Sequence, residues 1–167
     1  MSKKNVVLIG MPGCGKSTLG VLLAKLCCKD FADVDLLIQK RIGTSLQTYI
    51  DQHGTEAFLE VEADTRAALE TENTVIATGG SAPLTARGAK RLKELGPVVY
   101  LCLPYEEIER RITNPTTRGI AMRPGQTLRD VYTARCPVYE KLADLIFEPN
   151  TTDIAQTAMA LAEKLKK

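Results

Sequence analysis

One short segment near the start of the sequence restricts the fold more than any other. The apolar run NVVLI (5–9) leads into the glycine-rich stretch GMPGCGKST (10–18), and the apolar-periodic segment TLGVLLAKLCC (18–28) follows. Glycine adopts backbone conformations that a side chain disfavours, so the middle stretch is typical of a tight loop. The segment therefore predicts a buried strand, a glycine-rich loop and a helix in immediate succession.

The loop matches the GxxxxGK[ST] pattern of phosphate-binding loops. In such a loop the backbone N–H groups and the positive helix N-terminus surround a β-phosphate, and the lysine reaches the β and γ oxygens. The serine hydroxyl coordinates Mg²⁺. We therefore expect a nucleoside triphosphate with Mg²⁺, bound by a loop that contains Gly10, Gly13, Cys14, Gly15, Lys16, Ser17 and Thr18.

Three further apolar runs follow along the chain: VIAT (75–78), PVVYLCL (97–103) and DLIF (144–147). Each is short and apolar on both faces, which is typical of strands in a parallel sheet that helices cover on both sides. The pattern predicts an α/β fold with three layers, α/β/α. Helices are expected to begin near Lys16, Thr55, Tyr105, Thr127 and Thr152, and Ser45 and Thr55 are candidate caps.

Length and charge narrow the class of protein. A chain of 167 residues that is 44% apolar supports one core of ordinary size, so we expect a single domain over residues 1–167. The formal net charge of +2 argues against nucleic acid or an anionic membrane as the main partner. No apolar stretch approaches the roughly 20 residues of a membrane helix, and the N-terminus has the pattern of a strand rather than of an export signal.

The cysteines suggest a cellular compartment. There are five, an odd number, and none of them has CxxC spacing. This is expected of buried or incidental thiols in a reducing cytoplasm and disfavours a metal site built from them. We therefore expect a cytoplasmic protein. We also expect it to act as a monomer on a small molecule.

The loop alone does not identify the phosphate acceptor, which in this class is water, a protein, a nucleotide or a small metabolite. The Asn/Thr-Lys-x-Asp element that reads guanine is absent, and the DxxG match at 51–54 follows no apolar strand. The small size favours a metabolite or nucleotide kinase. In such enzymes catalysis consists mainly of alignment and charge neutralisation, so cations near the γ-phosphate and a carboxylate near the acceptor hydroxyl are expected.

Two segments supply candidates for the acceptor side. Asp33 and Asp35 lie two residues apart, on the same side of an extended segment, and suit Mg²⁺ and an acceptor hydroxyl. Alternatively, one of them only caps the helix that begins at about Leu36. Gly79 and Gly80 follow the VIAT strand and allow a ligand to approach the backbone, although a plain turn has the same composition.

The order of these motifs resembles the shikimate kinase family. The matching stretches are GMPGCGKST, FADVDLLIQKRIG, GTEAFLEVEADT, VIATGGSA, an arginine-bearing segment and ARCPVYEKLAD, and together they span nearly the whole chain. The resemblance implies a five-stranded parallel sheet, a helical substrate-binding region at about 33–62 and a mobile lid at about 113–126. It also implies transfer of the γ-phosphate of ATP to the 3-hydroxyl of shikimate, a step of aromatic amino acid biosynthesis, with Mg²⁺ as cofactor.

The resemblance also assigns roles at the acceptor side. Asp33 is placed near Mg²⁺, together with Ser17, and near the transferred phosphate. Asp35 orients the acceptor hydroxyl. The backbone of Gly79-Gly80 contacts the substrate, and Arg135 in the stretch RCPVY binds the substrate carboxylate.

At the nucleotide side the resemblance names three cations. Lys16 and the lid residue Arg118 neutralise charge on the phosphates, so that Lys16, Asp33, Asp35 and Arg118 form the implied catalytic set. Arg110 stacks near adenine. Arg123 is an alternative to Arg118, because it also lies in the lid and precedes a proline.

Two departures from the family pattern concern the acceptor. Leu59, in the stretch FLEVE, stands where the family has an arginine that binds the shikimate carboxylate, and Ser81 stands where a third glycine is usual. Loss of that arginine alone predicts shikimate binding weaker by roughly ten- to a hundredfold. Arg66, Arg87 or Lys40 are the candidates to replace it.

Several interpretations of Leu59 follow. The acceptor is shikimate, bound with a substitute cation, or it is another small hydroxylated metabolite such as homoserine or a sugar acid, which an apolar wall would favour. A register slip in the comparison would instead make Leu59 a packing residue on a helix face. A nucleotide-binding module without turnover is the hypothesis from another class.

Overall fold

The structure, a computed structural model, describes residues 4–113 and 119–166. At its centre lies a sheet of five strands: β1 (Val6–Ile9), β2 (Asp30–Asp33), β3 (Thr74–Ala77), β4 (Val98–Leu101) and β5 (Leu145–Phe147). Their order is β2-β3-β1-β4-β5, and every pairing is parallel. The predicted parallel α/β sheet with five strands is confirmed.

Helices cover the sheet, as the apolar character of the strands requires. In the described residues they are α1 (Lys16–Cys27), α2 (Val34–Ile42), α3 (Leu46–Ala67), α4 (Ala86–Leu95), α5 (Tyr105–Arg111), α6 (Leu128–Leu142) and α7 (Ile154–Leu165). Helix α1 packs on α7 and against β1, β2 and β3, whereas α4 contacts β1 and α6 contacts β4. Strands β1, β3 and β4 are buried along their whole length, so the core lies on both faces of the sheet.

Helix starts agree with the sequence in part. Helices α1 and α5 begin at the predicted residues, and Thr127 caps α6 with a capping box. Helix α3 begins at Leu46, well before the predicted Thr55, because Ser45 accepts a hydrogen bond from the Thr48 N–H and starts the helix there. Gly54 then interrupts the helical backbone with φ 85° and ψ 166°. This break explains why the sequence pattern predicts a helix start at the next residue, Thr55.

The length and polarity of the helices bear on membrane insertion. Among residues 4–113 and 119–166, no helix combines the length and the apolar character needed to cross a membrane. The longest, α3, carries charged and polar side chains throughout.

A buried asparagine fixes the amino ends of the central strands. Asn5 Nδ2 donates to the carbonyl oxygens of Thr71 and Leu95, at 2.8 and 2.9 Å, and Asn5 Oδ1 accepts from the Thr74 N–H at 3.0 Å. These three bonds connect the residue before β1 to the start of β3 and to the end of α4. They thereby hold β1 and β3 in their parallel register.

We expect Asn5→Ala to lower the free energy of unfolding by roughly 2–4 kcal/mol, because it leaves a buried N–H and two carbonyl groups without their partner. Urea denaturation measures the change. Asn150→Ala is the matched control, since Asn150 is exposed, and it should stay within about 0.5 kcal/mol of the wild type. Equal effects of the two substitutions would contradict this role of Asn5.

Candidate active site

A cavity of about 530 Å³ opens at the carboxyl edge of the sheet, where ligands of parallel α/β sheets bind. The phosphate loop follows β1 and the Gly79-Gly80 segment follows β3, so the parallel pairing of these strands brings both segments to the same cavity. The loop forms one end. The acceptor end, as we call the other, is lined by Asp35, Phe58, Glu62, Thr78, Gly79, Gly80, Ser81, Ile120, Ala121 and Arg135.

The loop has the backbone that its glycines predict. Gly13 and Gly15 have φ angles of 78° and 96°, in the left-handed region. A Cβ atom on Gly10 would lie 2.8 Å from the carbonyl oxygen of Leu101, so only glycine fits between β1 and β4 at this point. The sequence pattern therefore reflects both backbone conformation and close packing.

Lys16 begins α1 and lines the cavity, although only 8% of the residue is exposed. Its Nζ donates to the carbonyl oxygens of Gly10 and Met11 at 2.9 and 2.8 Å. These bonds hold the ammonium group within the loop. The positive charge and the N-terminus of α1 therefore face the same end of the cavity.

The other loop residues divide into two groups. Gly13, Gly15, Ser17 and Thr18 line the cavity, as predicted for residues that contact a nucleotide. Gly10 and Cys14 do not line it: Cys14 is buried, and its Sγ lies 3.5 Å from Lys16 Nζ. They support the loop.

Asp33 ends β2 and caps α2. Its Oδ1 accepts from the N–H groups of Asp35 and Leu36 at 3.0 and 3.3 Å. The capping alternative is therefore realised for Asp33, which does not line the cavity. The cap uses one carboxylate oxygen, so the hypothesis that Asp33 also serves Mg²⁺ stays a prediction.

Asp35, in the first turn of α2, lines the cavity. Burial raises the pKa of its carboxyl to about 6. The charge of Lys16 opposes this increase, whereas Asp33 and Glu62 add to it and Arg66 opposes it. Asp35 thus titrates close to neutral pH, as expected of a carboxylate that works on an acceptor hydroxyl.

The Gly79-Gly80 segment forms part of the cavity wall. A Cβ atom on Gly79 would lie 2.6 Å from Glu62 Oε1, and one on Gly80 would lie 2.7 Å from the ring of Pro12. The Gly80 carbonyl oxygen accepts a hydrogen bond of 2.5 Å from the hydroxyl of Tyr139. Close packing therefore excludes side chains here and leaves backbone at the cavity.

Arg135, on α6, is the cation of the acceptor end in the part of the chain that the structure describes. Only 5% of it is exposed. Its Nη2 donates to the carbonyl oxygen of Ala121, and a Cβ on Gly80 would lie 3.1 Å from its Nη1. The guanidinium is thus held beside the glycine segment, and its role in binding a substrate carboxylate stays a prediction.

None of the three candidates for a substitute cation reaches the cavity. Arg66 is buried and pairs with Glu62, whereas Arg87 and Lys40 are exposed. Leu59 is half-buried against the core and also does not line the cavity, although its helix neighbours Phe58 and Glu62 do.

Two successive arginines near the nucleotide end have different positions. Arg110 does not line the cavity: its side chain is 67% exposed and pairs with Glu107 at 2.7 Å. The next residue, Arg111, lines the cavity, and its Nη1 donates to the Cys14 carbonyl oxygen at 3.1 Å. Successive helix residues point about 100° apart, and only the second of the two faces the loop.

The lid prediction concerns residues that are only partly described. Arg118 lies outside the described residues. The alternative, Arg123, is exposed and does not line the cavity. Gly119, Ile120 and Ala121 do line it, so the chain beside Arg118 borders the site.

Residues that could hold Mg²⁺ include the Ser17 hydroxyl, at the cavity, and the Asp33 carboxylate. One hydroxyl and one carboxylate suit Mg²⁺, which usually keeps waters and takes one or two carboxylates plus substrate phosphates.

Comparisons with known proteins identify the family. The sequence model described as shikimate kinase matches residues 12–166. A shikimate kinase of Nitrosomonas europaea is 34% identical over 167 residues, covering 98% of this chain and 79% of that protein. One from Clostridium botulinum is 35% identical over 170 residues, covering 98% of each.

The fold is also similar to solved structures. Shikimate kinase from Acinetobacter baumannii in complex with shikimate superimposes with a TM-score of 0.90 at 29% identity, covering 99% of this chain and 94% of that one. Sequence and structure agree over nearly the full length. The chain therefore belongs to the shikimate kinase family, a family of kinases.

Proposed function

We propose that the chain transfers the γ-phosphate of ATP to the 3-hydroxyl of shikimate. The observation that carries the proposal is that one cavity joins the phosphate loop to an acceptor end where the described residues supply two carboxylates and one guanidinium. The first feature suits a nucleoside triphosphate. The second suits a small molecule with several hydroxyl groups and one acid group.

At the nucleotide end, Lys16 and the N-terminus of α1 neutralise charge that develops on the phosphates. Arg111 takes the adenine-side role that the sequence had given to Arg110, because its side chain lies against the loop. Arg118 completes the set from the lid, whose closure would exclude water. Ser17 and Asp33 would hold Mg²⁺, which when bound neutralises phosphate charge.

At the acceptor end, Asp35 accepts a hydrogen bond from the reacting hydroxyl and orients it toward the γ-phosphate. With a pKa of about 6 the carboxyl is mostly ionised at neutral pH and still basic enough to attract the hydroxyl proton. Arg135 binds the acceptor carboxylate through charge-assisted hydrogen bonds. The Gly79-Gly80 backbone fixes the ring between them.

A different acceptor stays a second candidate, because one specific observation favours it. Among the described residues that line the acceptor end, Arg135 is the one cation, and Leu59 adds none. One cation is enough to pair with the single acid group of a small hydroxylated metabolite such as homoserine or a sugar acid. A panel of acceptors separates these possibilities.

We expect ADP formation from ATP and Mg²⁺ to depend on shikimate far more than on homoserine, gluconate or nucleoside monophosphates.

Lys16→Met should lower kcat by at least about a hundredfold, because a preorganised charge at the phosphates is lost. Coupled ADP assays measure both effects. Lys25→Met, on the exposed side of the same helix, is the matched control and should retain wild-type turnover.

The panel also decides between the alternatives. Turnover with homoserine or gluconate, and none with shikimate, would establish a changed acceptor. ATP binding without turnover for any acceptor would favour the non-catalytic module.

Arg135→Met should raise the KM for shikimate by roughly ten- to a hundredfold, because a buried guanidinium no longer pairs with the substrate carboxylate. Arg129→Met on the same helix is the control, since Arg129 is exposed and does not line the cavity. Initial rates at saturating ATP measure KM. An unchanged KM in Arg135→Met would place the acceptor carboxylate elsewhere.

The raised pKa of Asp35 predicts the acidic limb of the pH profile. Below about pH 6 the carboxyl is protonated and loses its ability to accept the hydroxyl proton. We therefore expect kcat/KM for shikimate to fall about tenfold per pH unit on that side. A profile that stays flat down to pH 4.5 would exclude Asp35 from this role.

A further inference from the structure

Glu62 is a buried carboxylate that borders the acceptor end. Only 1% of the residue is exposed, yet it lines the cavity. Its two oxygens have different surroundings. Oε2 accepts a hydrogen bond of 2.7 Å from the Ser81 hydroxyl and lies 3.2 Å from Arg66 Nη1, whereas Oε1 has no hydrogen-bond partner among the described residues.

Glu62 Oε1, the oxygen without a partner, lies beside Asp35. A Cβ atom on Gly79 would be 2.6 Å from Glu62 Oε1 and 3.0 Å from Asp35 Oδ1, so both oxygens border the same backbone position. A buried carboxylate oxygen without a donor is costly, and a ligand hydroxyl at this position would supply the donor. Contacts at Oε2 must therefore fix the orientation of the Glu62 carboxylate, so that Oε1 rather than Oε2 lies beside Gly79.

Arg66 supplies the countercharge. It follows Glu62 by one helical turn, and only 3% of it is exposed. Its Nη1 has no hydrogen bond of good geometry, so the contact with Oε2 is an ion pair. Since Arg66 does not line the cavity, it can act on a ligand only through Glu62.

The hydroxyl of Ser81 determines which oxygen of Glu62 is hydrogen-bonded. It is itself buried, directly after Gly79-Gly80 and before the 3₁₀ helix Ala82–Leu84, so its hydroxyl has a fixed position. An ionised carboxylate only accepts hydrogen bonds, so Ser81 must be the donor. That bond engages Oε2 and leaves Oε1 buried beside Gly79 without a donor among the described residues.

We propose that Ser81 and Arg66 are positioning residues, which hold Glu62 by Oε2 and so direct Oε1 to an acceptor hydroxyl beside Asp35. The inference rests on the proposed function for the identity of the acceptor. Neither residue touches the reacting atoms. Ser81, which stands out in the sequence as a departure, thereby acquires a role in selecting hydroxylated acceptors.

The orientation of the Glu62 carboxylate gives a readout that a merely structural role would not move. If Ser81 and Arg66 hold Oε2, removing either of them should let the carboxylate turn, so that Oε1 leaves its position beside Gly79.

Kinetics of Ser81→Ala, Arg66→Met and Arg66→Lys test the proposal, with Thr65→Ala as control. Thr65 lies beside Arg66 on the same helix, and its hydroxyl donates to the Val61 carbonyl oxygen rather than to Glu62. Ser81→Ala and Arg66→Met should raise the shikimate KM about tenfold or more and leave the ATP KM within about twofold. Arg66→Lys should restore part of the loss.

In Ser81→Ala and Arg66→Met the shikimate KM should change more than kcat, because neither residue touches the reacting atoms. If Arg66→Met does not fold, Ser81→Ala and Arg66→Lys carry the test. A shikimate KM that changes no more than in Thr65→Ala would overturn the proposal.

Crystal structures of the acceptor-free variants separate this inference from the proposed function. If the wild type turns over no acceptor, the proposed function fails, and the structures alone then decide. A turned Glu62 carboxylate in Arg66→Met and Ser81→Ala, absent in Thr65→Ala, supports the network. An unchanged position of Oε1 in Arg66→Met and Ser81→Ala refutes it.

Discussion

The parallel pairing of β1 with β3 and β4 is the interaction on which the site depends. Val7 lies opposite Ile76 on one side and Val98 on the other, so three strands end at the same edge of the sheet. The phosphate loop and the glycine segment at 79–80 both begin there. A shift of one residue in either ladder would reverse the faces of a strand that is buried on both sides, and it would separate the two halves of the cavity.

The charges at the cavity act on one another. Asp35 and Glu62 are two negative groups near one backbone position; burial is the main cause of the raised pKa of Asp35, and the charge of Glu62 adds to it. The positive charges of Lys16 and Arg66 act in the opposite direction. Removing one member of such a set leaves a buried charge without its partner, so the four side chains behave as one unit.

Local features of the sequence predicted the loop and four of the strands, because glycine spacing and apolar runs are themselves local. The edge strand β2 (Asp30–Asp33) escaped the prediction, since it is only half-buried and has no apolar run. At the site, the sequence could not distinguish Arg110 from Arg111. The rotation of their helix decides which of them faces the loop, and Glu107 on the same helix pairs with both. Nor could it show that Arg66 turns inward to Glu62, since that depends on packing between α3 and the segment after β3.

The acceptor end selects by the kind of groups it lacks as well as by those it has. Ionised carboxylates accept hydrogen bonds only, so Asp35 and Glu62 attract hydroxyl groups and repel a second acid group placed near them. Arg135 lies beside Gly80, whereas Asp35 and Glu62 lie beside Gly79. A substrate that presents hydroxyls to the first position and an acid group to the second would therefore match these charges. Leu59 lies outside the cavity and adds no cation to it, so we expect it to affect affinity more than the pattern of groups that is recognised.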